Sequence, residues 1–223
     1  MISVARIVTA PLVAILPFMP SVGWRIGGFA IFLASAISDH IDGRIARSRG
    51  LITDLGKLLD PLADKLLLVA TFVPMFLLQA HYDDPLRALL PGMLEGSEYP
   101  LMMWGERTVW FPWWVLVLIL GREAFVTWFR SHANRRGVVI AAQSLGKWKT
   151  TFQYIWVGAA YVWFFIKFAR DTGRWTGAGI ETTGHVVCLL GVISMVIAFS
   201  LTLISMWSML SRNRAVFSRA AAR

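Results

Sequence analysis

The sequence predicts an all-α integral membrane protein of six transmembrane helices with both termini on the cytoplasmic side. Three observations carry this. Apolar residues make up 57% of the chain and charged residues only 16%, more apolar surface than a soluble domain of 223 residues can bury. The apolar residues gather into six stretches, each near the ~20 residues that cross a bilayer. The charged residues gather between them, basic and acidic connections alternating along the chain.

The first span runs from about Val4 to Phe18 and ends at Pro17 and Pro20. It lacks a small-residue cleavage site, so it reads as a span and not as a cleavable leader. The second covers about Val22 to Ala46, and its far end carries Asp39 and Asp42. The third begins near Asp54 or Asp60 and continues to Ala80, the fourth covers about Val109 to His132, the fifth Leu145 to Phe168 and the sixth Thr183 to Leu210. Eleven tryptophans suit a chain that meets two membrane–water interfaces. No internal repeat or soluble domain interrupts the pattern, so residues 1–223 read as a single membrane domain.

Orientation follows from the connections. Arg44, Arg47, Arg49 and Lys57 lie between spans two and three, Arg135, Arg136, Lys147 and Lys149 between four and five, and Arg212, Arg214, Arg219 and Arg223 in the tail. The segment His81–Trp110 instead carries Asp83, Asp84, Glu95, Glu98 and Glu106 against Arg87 and Arg107. The positive-inside rule puts the basic segments in the cytoplasm. Lys167, Arg170 and Arg174, on the outer side, run against it. The net charge of +9 is then assigned to loops facing anionic lipid, with no nucleic-acid partner. Cys188 is the only cysteine, which excludes an intrachain disulfide.

The chemistry concentrates between Ser38 and Lys65. Asp39 and Asp42 are three residues apart and Asp60 and Asp64 four apart, so on helices each pair projects from one face. Carboxylates at membrane depth are costly and need a polar cavity or a cation. Clustered, they repel one another unless positive charge compensates. Oxygen donors point to magnesium, manganese or calcium, and four carboxylates suit a pair of ions ~3.5–4 Å apart better than one. Blander roles stay open for single residues. Asp60 before Pro61 could cap a helix start, Asp54 could be a helix-start or surface residue, and Asp39 could meet headgroups at a helix end. Gly43 and Ala46, small residues on the aspartate face, admit either a nucleotide or a close-packed helix.

Written out, the stretch is Asp39-x-x-Asp42-Gly43-x-x-Ala46-Arg47, eight residues, then Gly56-x-x-x-Asp60-x-x-x-Asp64. At every fixed position it resembles the signature of the CDP-alcohol phosphotransferases, six-span membrane enzymes of phospholipid synthesis. The resemblance implies a dinuclear magnesium or manganese site in which Asp39, Asp42 and Asp60 hold one ion and Asp39, Asp60 and Asp64 the other. It makes Asp64 the general base for the acceptor hydroxyl, and assigns Asp42, Gly43, Ala46, Arg47 and Gly56 to the CDP group. It also implies a homodimer; with the charge pattern of the loops, the expectation is a multi-pass protein of the cell (inner) membrane whose active site faces the cytoplasm. The family often begins with Asn-x-x-Thr-x-x-Arg; here Ser3 and Arg6 fit, and the Asn position falls before Met1.

The acceptor is read from spans four and five. Arg122 and Arg130 are eight residues apart, so they share a helix face ~12 Å apart. Arginine at membrane depth usually has an anionic partner, either Glu123 as a local ion pair or a substrate phosphate. Lys147 and Lys149 stand where span five enters the membrane, as interfacial anchors or, with Arg122 and Arg130, as an anion pocket. Arg-Glu followed by Arg, then Gly-Lys-x-Lys-Thr, resembles the branch of the family that makes phosphatidylglycerophosphate. That implies CDP-diacylglycerol as donor, sn-glycerol 3-phosphate as acceptor and CMP as leaving group. Two alternatives remain on the sequence: a CDP-dependent cardiolipin synthase of the same family, and a cation transporter with an aspartate site.

Overall fold

The computed structural model describes the backbone of residues 2–19, 21–49, 54–81, 83, 99–104, 107–136 and 144–213. Within these elements the side chains of residues 2, 3, 39–49, 54–58, 60, 102–104, 107, 144, 145 and 147 lie outside the described set. Six α-helices occupy most of the described chain: α1 (Ile2–Ile15), α2 (Val22–Arg49), α3 (Asp54–Gln79), α4 (Trp113–Arg135), α5 (Ser144–Asp171) and α6 (Ala178–Arg212). A 3-10 turn, Leu16–Phe18, follows α1. The α1 turn packs hard on α2, where a Cβ on Gly28 would stand 2.7 Å from Leu16 Cβ, so only glycine fits without a shift.

Among the described residues, three helices are long and apolar enough to cross a membrane, over Pro61–Gln79, Trp148–Asp171 and Ala178–Arg212. Val4–Phe18 and Val22–Ser38 form shorter apolar helices. The helix α4 is apolar only in its first half, because Arg122, Glu123 and Arg130 follow. Along α6, Val186, Leu190, Ile193, Val196, Ile204 and Trp207 point outward and are exposed, the surface of a chain whose solvent is lipid.

The core is built around α5. Trp156 meets Phe72 of α3 and Phe111 edge-on, each with ring centroids 5.1 Å apart. Tyr161 stacks on Phe29 and Phe32 of α2 at 6.0 and 6.1 Å. Rings in these offset and edge-on arrangements add to the area they bury. The buried stripe of α6 is mostly small, namely Gly184, Cys188, Gly191, Ser194, Ala198, Thr202 and Ser205. Spaced three and four apart, these residues let α6 lie close against α5.

One element departs from the all-α expectation. Within the acidic segment, β1 (Met102–Trp104) pairs antiparallel with β2 (Arg107–Val109), in the register Met102↔Val109, Met103↔Thr108 and Trp104↔Arg107. The flanks of this segment are tied to the bundle. Tyr99 N–H donates to the Leu78 carbonyl at 3.1 Å, Phe111 N–H to Gln79 at 2.9 Å, and Trp163 Nε1 to Pro100 at 2.9 Å.

Arg25, only 3% exposed, completes the tie. It donates to the Tyr99 hydroxyl at 2.6 Å and to the Met19 carbonyl at 2.8 Å, with its guanidinium 4.3 Å from the centre of the Phe168 ring. Burial pushes the Tyr99 hydroxyl pKa up and the Arg25 charge offsets part of that, so Tyr99 stays a neutral acceptor. Arg25→Ala strips the donors from both oxygens and is expected to cost about 3 kcal/mol. Tyr99→Phe, which leaves the arginine its other contacts, should cost only about 1 kcal/mol. Unfolding in detergent micelles measures both, and equal losses would show that the hydroxyl is the whole of the tie.

Candidate active site

The aspartate stretch falls on two helices, as its spacing requires. Asp39 and Asp42 lie on the continuous α2, and Asp60 and Asp64 on α3. Asp54 opens α3, so Asp60 is inside the helix and Pro61 is an internal proline; the helix start read as an option at Asp60-Pro61 is formed six residues earlier. Consecutive turns of α3 thus carry Asp60 and Asp64, ~6 Å apart along the axis. The side chains of Asp39, Asp42, Gly43, Ala46, Arg47, Gly56, Asp60 and Lys147 lie outside the described residues.

Asp64 is described. Its carboxylate, 59% exposed, forms an ion pair with Arg6 of α1, whose side chain is 5% exposed. Arg6 is the only charged residue in an otherwise apolar first helix, and a cation in that setting requires an anionic partner. That was a legible signal for the pairing, though not for the identity of the partner. One turn on, Thr9 Oγ1 lies 3.4 Å from Ser35 Oγ of α2, four residues before Asp39. The helix α1 therefore touches both aspartate-bearing helices through polar contacts and fixes their spacing.

Among the described residues, no group of three or more His, Cys, Asp or Glu side chains could hold a metal ion. Of the four aspartates, Asp64 alone has a described carboxylate. Asp64 is an accessible oxygen donor already paired to one positive charge, and the α2 and α3 backbones set each aspartate pair on one helical face.

A second polar cluster joins α4, α5 and α6. Glu123 accepts a hydrogen bond from Arg122 Nη1 at 2.7 Å and another from Lys149 Nζ. Arg122 Nη2 donates to Ser205 Oγ at 2.9 Å. The local Arg122–Glu123 pair that the sequence allowed is formed, and Lys149 shares it. Lys149 is 4% exposed and the Arg122 side chain 10%. Arg130 is exposed two turns further along α4, beyond the Val126 and Phe129 contacts that seat this helix on Met209. Glu123 as a shared partner and Ser205 were not among the expected site residues; Ser205 is one member of a small-residue stripe and carries no separate sequence signal.

Residues 1–210 match the family model described as CDP-alcohol phosphatidyltransferase. Among curated relatives, the chain is 34% identical over 134 residues to a probable phosphatidylglycerophosphate synthase of Mycobacterium tuberculosis (strain ATCC 25618 / H37Rv), covering 60% of this chain and 49% of the relative. It is 32% identical over 135 residues to a CDP-diacylglycerol–glycerol-3-phosphate 3-phosphatidyltransferase of Bacillus subtilis (strain 168), covering 60% and 54%. It is 32% identical over 163 residues to a cardiolipin synthase (CMP-forming) of Oryza sativa subsp. japonica, covering 69% and 44%. The chain spans about half the length of these relatives.

Arg6→Ala removes the cation beside Asp64. Because the carboxylate is largely exposed, water recovers much of the loss, and the expected cost is about 1 kcal/mol. Arg6→Lys should restore part of it. Urea titration in mixed micelles reads the difference, and a loss that lysine does not reduce would assign the effect to packing of the arginine stem.

Proposed function

Because this chain belongs to the CDP-alcohol phosphatidyltransferase family, we propose that it transfers the phosphatidyl group from CDP-diacylglycerol to sn-glycerol 3-phosphate, giving phosphatidylglycerophosphate and CMP. The observation that carries the choice of acceptor is the buried basic cluster on α4 and α5, where Arg122 and Lys149 share one carboxylate. Two cations against one anion leave a net positive charge, which attracts a phosphate-bearing acceptor. The relatives named for glycerol 3-phosphate support the same choice.

In this reading Asp39, Asp42, Asp60 and Asp64 hold two magnesium or manganese ions. Bound there, the ions neutralise the donor pyrophosphate and polarise the phosphorus. Asp64 takes the proton from the acceptor hydroxyl, a role that its accessible carboxylate suits. Asp42, Gly43, Ala46, Arg47 and Gly56 receive the CDP group, and Arg122, Arg130, Lys147 and Lys149 receive the acceptor phosphate. The acyl chains of the donor stay in the bilayer. We place the chain as a single domain of six spans in the cell (inner) membrane, both termini and the site facing the cytoplasm, working as a homodimer.

A second reading, a CDP-dependent cardiolipin synthase, is favoured by the rice relative. Purified protein supplied with CDP-diacylglycerol and each acceptor separates the two. CMP release with glycerol 3-phosphate is expected, and release only with phosphatidylglycerol would overturn the proposal. Asp64→Asn should abolish turnover, by about a hundredfold or more, while binding of CDP-diacylglycerol stays within about twofold. Full activity of that variant would remove Asp64 as the base.

A further inference from the structure

The polar cluster of α4, α5 and α6 contains two groups that binding of a phosphate does not itself require, Glu123 and Ser205. Each is fixed. Glu123 accepts from Lys149 and, at 2.7 Å, from Arg122. Ser205, 3% exposed, accepts from Arg122 Nη2 at 2.9 Å and donates to the Thr202 carbonyl at 3.1 Å. Arg122 Nε is buried with no hydrogen-bond partner among the described residues, so the guanidinium keeps a donor in reserve.

Two buried cations facing each other across a helix interface repel, and both side chains have many rotamers. A carboxylate between them turns that repulsion into attraction on each side. A hydroxyl at the other end of the guanidinium then fixes the plane of its fork, on which directed recognition of a phosphate depends. With Glu123 present, the trio still carries one net positive charge. The resting site is therefore ordered before an anion arrives, and the anion need not supply the ordering entropy.

We propose that Glu123 and Ser205 are positioning residues for the acceptor, holding Arg122 and Lys149 in the orientation that takes the phosphate of a phosphorylated polyol. Glu123 acts through both cations and Ser205 through Arg122 alone. The inference rests on the acceptor reading above. It adds a graded expectation, in which loss of the carboxylate matters more than loss of the hydroxyl and neither touches the donor half.

Steady-state kinetics on the full chain in mixed micelles, with CDP-diacylglycerol and glycerol 3-phosphate varied separately, tests it. Ser205→Ala should raise the KM for glycerol 3-phosphate by about three- to tenfold, with kcat and the CDP-diacylglycerol KM within about twofold. Ser205→Thr, which restores a hydroxyl, should return the KM toward wild type. Glu123→Gln should raise it further, and Glu123→Asp should fall between. Inorganic phosphate, used as a competitive inhibitor, should weaken in the same order. Where Glu123→Gln does not accumulate as folded protein, the two Ser205 variants decide. An unchanged acceptor KM in Ser205→Ala, or equal changes in both KM values, would overturn the proposal and leave the cluster a structural tie. Wild-type protein inactive on glycerol 3-phosphate but active on phosphatidylglycerol would instead refute the acceptor reading. The same variants would then be read on the KM for that acceptor.

Discussion

An ion at membrane depth must be compensated by another group of the protein, and this constraint shapes the fold. Among the described residues, three buried cations and the nearly buried Arg122 each find a partner: Arg6 meets Asp64, Arg25 meets Tyr99 and Met19, and Arg122 and Lys149 meet Glu123. Removing one partner leaves a buried charge, which costs more than the contact itself contributes. These ties pin particular helices to one another, while α5 and α6 meet through the small-residue stripe of α6. The helix α1 is bound to the aspartate helices, Tyr99 and Pro100 to α2 and α5, and α4 to α5 and α6. Aromatic packing around Trp156 and Tyr161 fills the space between but is not directional in the same way.

The apolar runs made most of the fold legible in advance, because length and composition alone fix where a helix can cross lipid. The start of α3 at Asp54 and the extent of α5 and α6 lay close to the expected bounds. The pairing of β1 with β2 is not legible in advance, because three-residue strands have too little periodicity to stand out from an acidic connection. Arg25 carries a weak local signal. Near the start of an apolar helix it resembles an interfacial anchor, and only the packed structure shows Tyr99, 74 positions away, as its partner.

The site divides the same way. The aspartate spacing is a local property of α2 and α3, so it could be read directly. Glu123 was legible as a neighbour of Arg122, since adjacent residues need no tertiary knowledge to be paired. Its bond to Lys149, 26 positions on, and the Arg122–Ser205 bond, 83 positions on, depend on how α4, α5 and α6 meet. Arg6 lies between these cases. Its need for an anion follows from the sequence, while the choice of Asp64 follows from the seat of α1 against α3.

In the proposed function, two polar clusters divide the two substrates, an acidic one on α2 and α3 for the donor and a basic one on α4 and α5 for the acceptor. Separate determination of both KM values for Lys149→Ala tests that division most directly. A rise of about tenfold or more is expected in the KM for glycerol 3-phosphate, equivalent to at least ~1.4 kcal/mol, with the KM for CDP-diacylglycerol nearly unchanged. An equal rise in both, or in neither, would contradict it.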